Sequence, residues 1–241
     1  MNTQPDHDQA KAISSAIPGA VDLFRPSEYS GLLIHALRSR AHTFRHGSGL
    51  DMGTGSGVLL ATLGLLGCTR LVGVDIDPAA INASTTMARG LGLLDRTTLL
   101  QGSLWEPLED EAFDVIVTNL PNFAATKPSD PERSVSWSMA GADGRSAINP
   151  FLAGLGRHLK PDGVAYMTHN VFAGLAETEA MLARQGLVAR SILATTSLLH
   201  PTKSALMNPA VRAKYDGSGI RQLGSYEFVD VLVLEIRAIQ S

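Results

Sequence analysis

From residue 47 onward, short apolar runs alternate with stretches whose apolar residues recur at helical spacing. The runs Gly49–Met52, Arg70–Asp75, Thr97–Gln101, Phe113–Thr118 and Gly163–His169 predict strands. Between them, Val58–Gly67, Ala79–Leu91, Ala147–His158 and Ala176–Gln185 predict helices. A β-α-β-α rhythm of this kind packs helices on both faces of a parallel sheet. The rhythm changes near the end of the chain. Val188–Leu198 and Tyr226–Ala238 are long β-rich runs with no helix-length amphipathic pattern between them. The intervening stretch, punctuated by Pro201, Pro209, Gly217 and Gly219, reads as an extended loop. The expectation is an α/β fold with a seven-stranded, mostly parallel sheet, closed by a C-terminal antiparallel hairpin. Before residue 47 the pattern is helical, weakly over Gln9–Leu23, where Pro18 interrupts, and clearly over Glu28–Arg40. There Leu32, Leu33, Ala36 and Leu37 recur at helical spacing, and Ser27 stands where an N-cap belongs. Residues 1–46 are expected to form a helical extension or lid on a single domain spanning 47–241.

Composition narrows the partners. A chain of 241 residues with 44% hydrophobic content is long enough for one domain with a full core. A net charge of −3 gives no general attraction for nucleic acid or an anionic membrane, so neither is expected as a partner. One cysteine, Cys68, excludes an intramolecular disulfide, and its run Leu65-Leu66-Gly67-Cys68 predicts a packed thiol. Met1–Lys11 has no apolar core of the signal-peptide kind, and no apolar run approaches the roughly 20 residues of a membrane span. A cytoplasmic protein is expected. No Cys/His cluster has metal-ligand spacing, so no metal is expected, and no Gly-x-x-x-x-Gly-Lys phosphate loop occurs.

The strongest local signal is Leu50-Asp51-Met52-Gly53-Thr54-Gly55-Ser56-Gly57, between a strand and a helix. Alternate glycines let the backbone turn tightly and approach a ligand without Cβ interference. The loop opens onto a helix N-terminus, whose free N–H groups favour a strongly accepting partner. The next strand ends in Gly73-Val74-Asp75-Ile76-Asp77-Pro78, which places Asp75 to accept hydrogen bonds from ribose hydroxyls. Asp77 reads as a turn or helix-capping residue before Pro78. The spacing is Gly-x-Gly-x-Gly, not the Gly-x-Gly-x-x-Gly of the dinucleotide fingerprint. Asp51, two residues before the first glycine, would repel a pyrophosphate and attract an ammonium group.

These residues resemble the acid-x-Gly-x-Gly-x-Gly motif of class I S-adenosylmethionine-dependent methyltransferases, which have a Rossmann-like fold. The resemblance implies S-adenosyl-L-methionine as cofactor. Asp51 then faces its methionine moiety, directly or through water, Gly53, Thr54, Gly55 and Gly57 admit it, and Asp75 with Ile76 holds the ribose side. Gln101-Gly102-Ser103-Leu104-Trp105 stands where the family often carries an acid for the adenine amino group. Ser103 occupies the acid's position, Leu104 lies beside it, and Trp105 either packs on adenine or fills the sheet edge.

On the acceptor side, Phe113–Thr118 ends in Asn119-Leu120-Pro121-Asn122-Phe123. A polar turn at the carboxyl end of a central strand sits where such sheets bind substrate. It resembles the Asn-Pro-Pro-Tyr signature of amino-group methyltransferases, in particular the glutamine methyltransferases of the HemK type. Asn119 and Pro121 match, Leu120 replaces the first proline, and Asn122 stands in the aromatic position. By that resemblance Asn119, Pro121 and Asn122 form the catalytic turn, with Asn119 also against the cofactor; Asn119 and the next backbone carbonyl accept hydrogen bonds from the target nitrogen, and Asn122 is either a substrate contact or a plain turn residue. The resemblance extends to Phe24-Arg25-Pro26-Ser27-Glu28-Tyr29-Ser30, to Ala140-Gly141-Ala142-Asp143-Gly144-Arg145, and to Leu159-Lys160-Pro161-Asp162-Gly163 with His169-Asn170. Tyr29 is either a cation–π partner for the sulfonium or a core residue. His169 is either a base or a hydrogen-bonded core histidine. The 200–225 stretch, with His200, Lys203, Asn208, Arg212, Lys214 and Tyr215, is either a lid or a solvated loop.

Three functions are compatible with these residues. The first is methyl transfer to a nitrogen, with a small molecule ranked above a protein as acceptor. The second is ring closure of the cofactor's own methionine moiety to azetidine-2-carboxylate with release of methylthioadenosine. The third is a non-catalytic cofactor-binding module.

Overall fold

The computed structural model describes residues 26–125 and 140–239. The weak helical pattern over Gln9–Leu23 and the residues Phe24 and Arg25 lie outside the described residues. In chain order the elements are α1 (Glu28–Arg40), β1 (Ser48–Met52), α2 (Val58–Leu65), β2 (Arg70–Asp75), α3 (Pro78–Gly90), β3 (Thr97–Gln101) and β4 (Phe113–Thr118). They continue with α4 (Ile148–His158), β5 (Leu159–Asn170), α5 (Leu175–Ala183), β6 (Leu187–Leu199), α6 (Pro201–Leu206), α7 (Pro209–Tyr215), β7 (Ile220–Leu223) and β8 (Tyr226–Ala238).

The strands run β3-β2-β1-β4-β5-β8-β6, with β7 added to β8. The first five are mutually parallel, and β8 is antiparallel to β5, β6 and β7. The chain thus moves outward from β1 to β3, returns to β4 on the other side of β1, and moves outward again. That reversal leaves a crevice beyond the carboxyl ends of β1 and β4. The Rossmann-like reading stands, with eight strands among the described residues where seven were expected. β8 pairs with β6 along nearly its whole length but extends past β5, and β7 takes up the edge left open on the β5 side through the register Ile220↔Val229 to Leu223↔Tyr226.

Burial explains why the central strands read as unbroken apolar runs. Met52, Val72, Val74, Ile116 and Phe113 meet α4 on one face of the sheet, while Leu71, Val115, Val117 and Tyr166 meet α1 and α2 on the other. Leu33, Ala36 and Leu37 of α1 belong to this second core, so α1 is packed against the sheet. Ser27 occupies the N-cap position of α1, but its hydroxyl makes no capping bond. Cys68 is fully buried beside the Phe44 carbonyl, and burial pushes its thiol up to about 12, the inert state expected.

The 200–225 stretch departs from the sequence reading. It forms α6, α7 and β7 where an extended loop was expected. Each helix starts on a side-chain cap followed by proline at the first position: His200 Nδ1 accepts from Thr202 N, and Asn208 Oδ1 accepts from Ala210 N at 3.0 Å. Proline is favoured there because its missing N–H would be unpaired anyway. Arg212 and Ser204 both bond Glu227 of β8, and Arg212 reaches Ser204 Oγ at 2.8 Å, which ties both helices to the sheet. Among the described residues no helix is long and apolar enough to cross a membrane.

Arg145 fastens the other side. Its side chain is buried, and Nη1 donates to the carbonyls of Ala173 and Gly174 and to Thr178 Oγ1. Removing it strands two buried carbonyls at the start of α5, so Arg145→Ala is expected to cost about 3 kcal/mol in urea unfolding. A loss within experimental error would show that water replaces the guanidinium.

Candidate active site

Pairing of β1 with β4 brings the two sequence motifs to one edge of the sheet. Met52 is level with Thr118, whose hydroxyl donates to the Met52 carbonyl at 2.8 Å. The chains that leave these positions are the glycine loop and the Asn119–Asn122 turn. They touch: a Cβ on Gly53 would lie 3.1 Å from Leu120 Cδ2.

The glycine loop turns through left-handed backbone, with φ of 75° at Gly53, 51° at Gly55 and 79° at Gly57. Gly57 is further required by packing, since a Cβ there would sit 2.9 Å from the Ser84 Cα of α3. Asp51 is fully buried beneath the loop. Its Oδ2 accepts from Thr54 Oγ1 at 3.0 Å and from Leu60 N, in the first turn of α2, at 2.9 Å. Its Oδ1 has no partner. Burial pushes this carboxyl up to about 7, against an ordinary value of 3.8. Thr54, expected to admit the cofactor, uses its hydroxyl on Asp51 and lies 3.2 Å from Ser84 Oγ, so it braces the loop internally.

Asp75 accepts from Gly55 N at 2.9 Å through one oxygen and from Asp77 N at 3.0 Å through the other. It remains partly exposed, and desolvation raises its pKa. Beside it Ile76 is 70% exposed, an apolar side chain at the rim of the crevice. Asp77 caps α3 by accepting from Ala79 N at 2.8 Å, as expected. Ser103 and Leu104 follow β3, with Leu104 in left-handed backbone at φ 50°. Trp105 is committed elsewhere. It stacks on His158 and Phe151 of α4, with centroids 4.5 and 5.2 Å away, and its indole N–H donates to the Phe151 carbonyl at 3.0 Å. Of the two readings offered for it, the structure favours packing: an indole held this way belongs to the helix contact.

The acceptor side is a ladder between the Asn119–Asn122 turn and alternate residues of β5. Asn119 Oδ1 accepts from Thr168 Oγ1 at 2.7 Å, and its Nδ2 donates to Ser30 Oγ of α1 at 3.3 Å. Asn122 Oδ1 accepts from Asn170 Nδ2. Pro121 lies between them, half-buried. Gly144 presses on this turn, since a Cβ there would meet the Asn122 carbonyl at 2.8 Å. The Asp143-Gly144 loop is therefore a brace. Ser30, Thr168 and Asn170 escaped notice as site residues; the period-two alternation of Thr168 and Asn170 is the signal that pairs them.

A cavity of about 120 Å³ adjoins the ladder, lined among others by Tyr29, Asn122, Phe123, Asn170, Leu199 and Lys203. Tyr29 is in hydrogen-bonding reach of Ser197 and Asn170, and burial pushes its hydroxyl up to about 12. Lys203, from α6, lies 5.9 Å over the Phe123 ring, and burial lowers its pKa. The 200–225 stretch therefore forms a wall of this cavity. His169 faces the other way: it is fully buried, bonds Thr178 Oγ1 through Nε2 at 2.9 Å, and burial lowers it to about 4. It is a neutral core histidine, and a base role is not open to it.

Comparison with known proteins agrees with this geometry. Residues 32–122 match the family described as Ribosomal protein L11 methyltransferase (PrmA). The release factor glutamine methyltransferase of Moorella thermoacetica is 32% identical over 148 residues, covering 58% of this chain and 51% of the relative. The ribosomal protein uL3 glutamine methyltransferase of Bordetella pertussis is 36% identical over 121 residues, covering 48% and 41%. The chain thus spans about half the length of the curated relatives it matches. Among solved structures, the E. cuniculi Mtq2–Trm112 complex, responsible for methylating the eRF1 translation termination factor, shares the fold with a TM-score of 0.55 at 19% identity, covering 89% and 98%. These names overturn the small molecule ranked first as acceptor from the sequence. The acceptors they name are proteins, one of them from the ribosome, a particle that also contains RNA.

The residues fit S-adenosylmethionine. The unpartnered Asp51 Oδ1 lacks a donor that an ammonium supplies, Asp75 retains lone pairs for ribose hydroxyls, and Ile76 exposes an apolar face that a purine can cover. A raised carboxyl holds its proton in the folded chain, so the stability it lends is full below about pH 4 and is lost as pH rises toward 7. A bound ammonium reverses the preference. Calorimetry with S-adenosylhomocysteine near pH 6, in buffers of different ionisation enthalpy, should therefore detect proton release that Asp51→Asn lacks. Buffer-independent heats in the parent protein would disprove the contact. Trp105→Ala should cost about 2–3 kcal/mol in stability and leave affinity for the same ligand unchanged; a matching loss of affinity would return Trp105 to the adenine site.

Proposed function

We propose that this chain, which belongs to the class I S-adenosylmethionine-dependent methyltransferases, transfers a methyl group to a side-chain amide nitrogen of a protein acceptor. The observation that carries the reading is the clamping of Asn119 beside the glycine loop by Thr168 and Ser30. Its carbonyl oxygen spends one lone pair on Thr168 and keeps another, which can accept from an incoming N–H. Two fixed neighbours prevent the amide from rotating, so the remaining lone pair keeps one direction.

When bound, the cofactor supplies a methyl carbon already activated by a sulfonium. The protein's part is to orient the nitrogen and hold its N–H in a hydrogen bond; as nitrogen gains the methyl and sulfur keeps the bonding pair, the proton passes to solvent. Asn119 orients. Pro121 stiffens the turn and offers no N–H to compete with the acceptor. Asp51 holds the methionine end of the cofactor and Asp75 its ribose. The acceptor class is inferred from the names of the relatives and from the match of Asn119 and Pro121 to the amino-group signature. The relatives' names all specify methyl transfer, and no observation favours ring closure of the cofactor over it.

Incubating the chain with S-adenosylmethionine and purified release factor or ribosomal protein should yield S-adenosylhomocysteine and a methylated glutamine located by peptide mass spectrometry. Asn119→Ala should lower kcat about 100-fold with cofactor affinity retained. Asp75→Ala should weaken cofactor binding about tenfold. Product formation by Asn119→Ala at the parent rate would remove the proposed role.

A further inference from the structure

We propose that Asn122 and Asn170 form a carboxamide-reading pair in the wall of the acceptor cavity, selecting a side-chain amide over the corresponding acid. The proposal rests on the transfer reading only in taking this cavity as the acceptor side. Its content is a specificity device at the position where the chain departs from the aromatic of the Asn-Pro-Pro-Tyr pattern.

The two rungs of the ladder differ. The Asn119–Thr168 rung is extended by Ser30, and Asn119 has a partner on both its oxygen and its nitrogen. The Asn122–Asn170 rung is not. Asn122 is 4% and Asn170 1% exposed, yet Asn122 Nδ2 and Asn170 Oδ1 have no partner. This outcome is independent of how the amides are turned. Two carboxamides joined by one hydrogen bond always leave one N–H side and one C=O side. Buried polar groups are overwhelmingly paired in native proteins, and an unpaired donor beside an unpaired acceptor asks for a ligand that supplies both.

A primary carboxamide does so in one plane. Its C=O accepts from Asn122 and its N–H donates to Asn170. A carboxylate satisfies the donor but sets an oxygen against Asn170 Oδ1, and a hydrocarbon satisfies neither. Around them, Glu28 accepts from Ser197 Oγ at 2.8 Å, Tyr29 lies in reach of Ser197 and Asn170, and Lys203 lies over the Phe123 ring within the field of Glu28. Phe123 and Phe172, edge to face at 5.8 Å, with Leu199 and Val229, offer apolar surface for the methylenes behind the amide. A volume of about 120 Å³ is enough for a side-chain tip.

The test uses N-acetylglutamine methylamide and its glutamate counterpart as probes, titrated by NMR into the full chain saturated with S-adenosylhomocysteine. The parent should bind the amide at least about tenfold tighter than the acid. The side-chain amide signals of Asn122 and Asn170 should shift with the amide probe only. Asn170→Ala and Asn170→Ser should bring the ratio close to one, with unchanged affinity for S-adenosylhomocysteine. A parent ratio near one overturns the proposal, as do unmoved amide signals or a ratio that survives both substitutions. The signals report on the parent alone, so a variant that fails to fold does not remove the test. An intact amide preference without methyl transfer sinks the transfer reading alone, whereas transfer with a ratio near one sinks the pair.

Discussion

The site depends on the parallel pairing of β1 with β4. Neither motif does anything alone: a glycine loop is a common way to leave a strand, and Asn-x-Pro-Asn is an ordinary turn. Level alignment of Met52 with Thr118 sends both outward from one edge, close enough for Leu120 to touch Gly53. The chain reaches this arrangement because it reverses its winding direction between β3 and β4. A register slip of one residue would turn alternate side chains to the opposite face and separate the two halves.

Electrostatics at this edge are arranged through burial. Asp51 is held under the loop by a hydroxyl and by an N–H of α2, with one oxygen unpaired. Such an arrangement is unfavourable in isolation and becomes favourable with a cation. Asp75 is shallower and partnered by backbone N–H groups, which suits a carboxylate that must keep lone pairs available. The two acids differ in depth more than in chemistry.

Much of the fold was legible in the sequence. The boundaries of β2, β3, β4 and β8 agree with the apolar runs, and β2 and β4, buried along most of their length, have few polar interruptions. Asp77 was legible as a cap because Pro78 follows it. What escaped notice depended on distant partners. Trp105 reads equally well as an adenine or a packing residue until α4 is seen to stack on it. The helices α6 and α7 were hidden because Pro201 and Pro209 read as breakers when they are helix starters after His200 and Asn208. The alternation of Thr168 with Asn170 is visible in the sequence, but their partners emerge only when β5 is known to lie beside β4.

The placement of β8 has a consequence for biosynthesis. Among the described residues β6 pairs only with β8, which is inserted between it and β5. While the ribosome is still adding the residues after β6, this 13-residue strand has no neighbour and presents an open edge to other chains. Pairing with β8 is what closes it, so a nascent chain stalled before β8 is available is the species most exposed to aggregation.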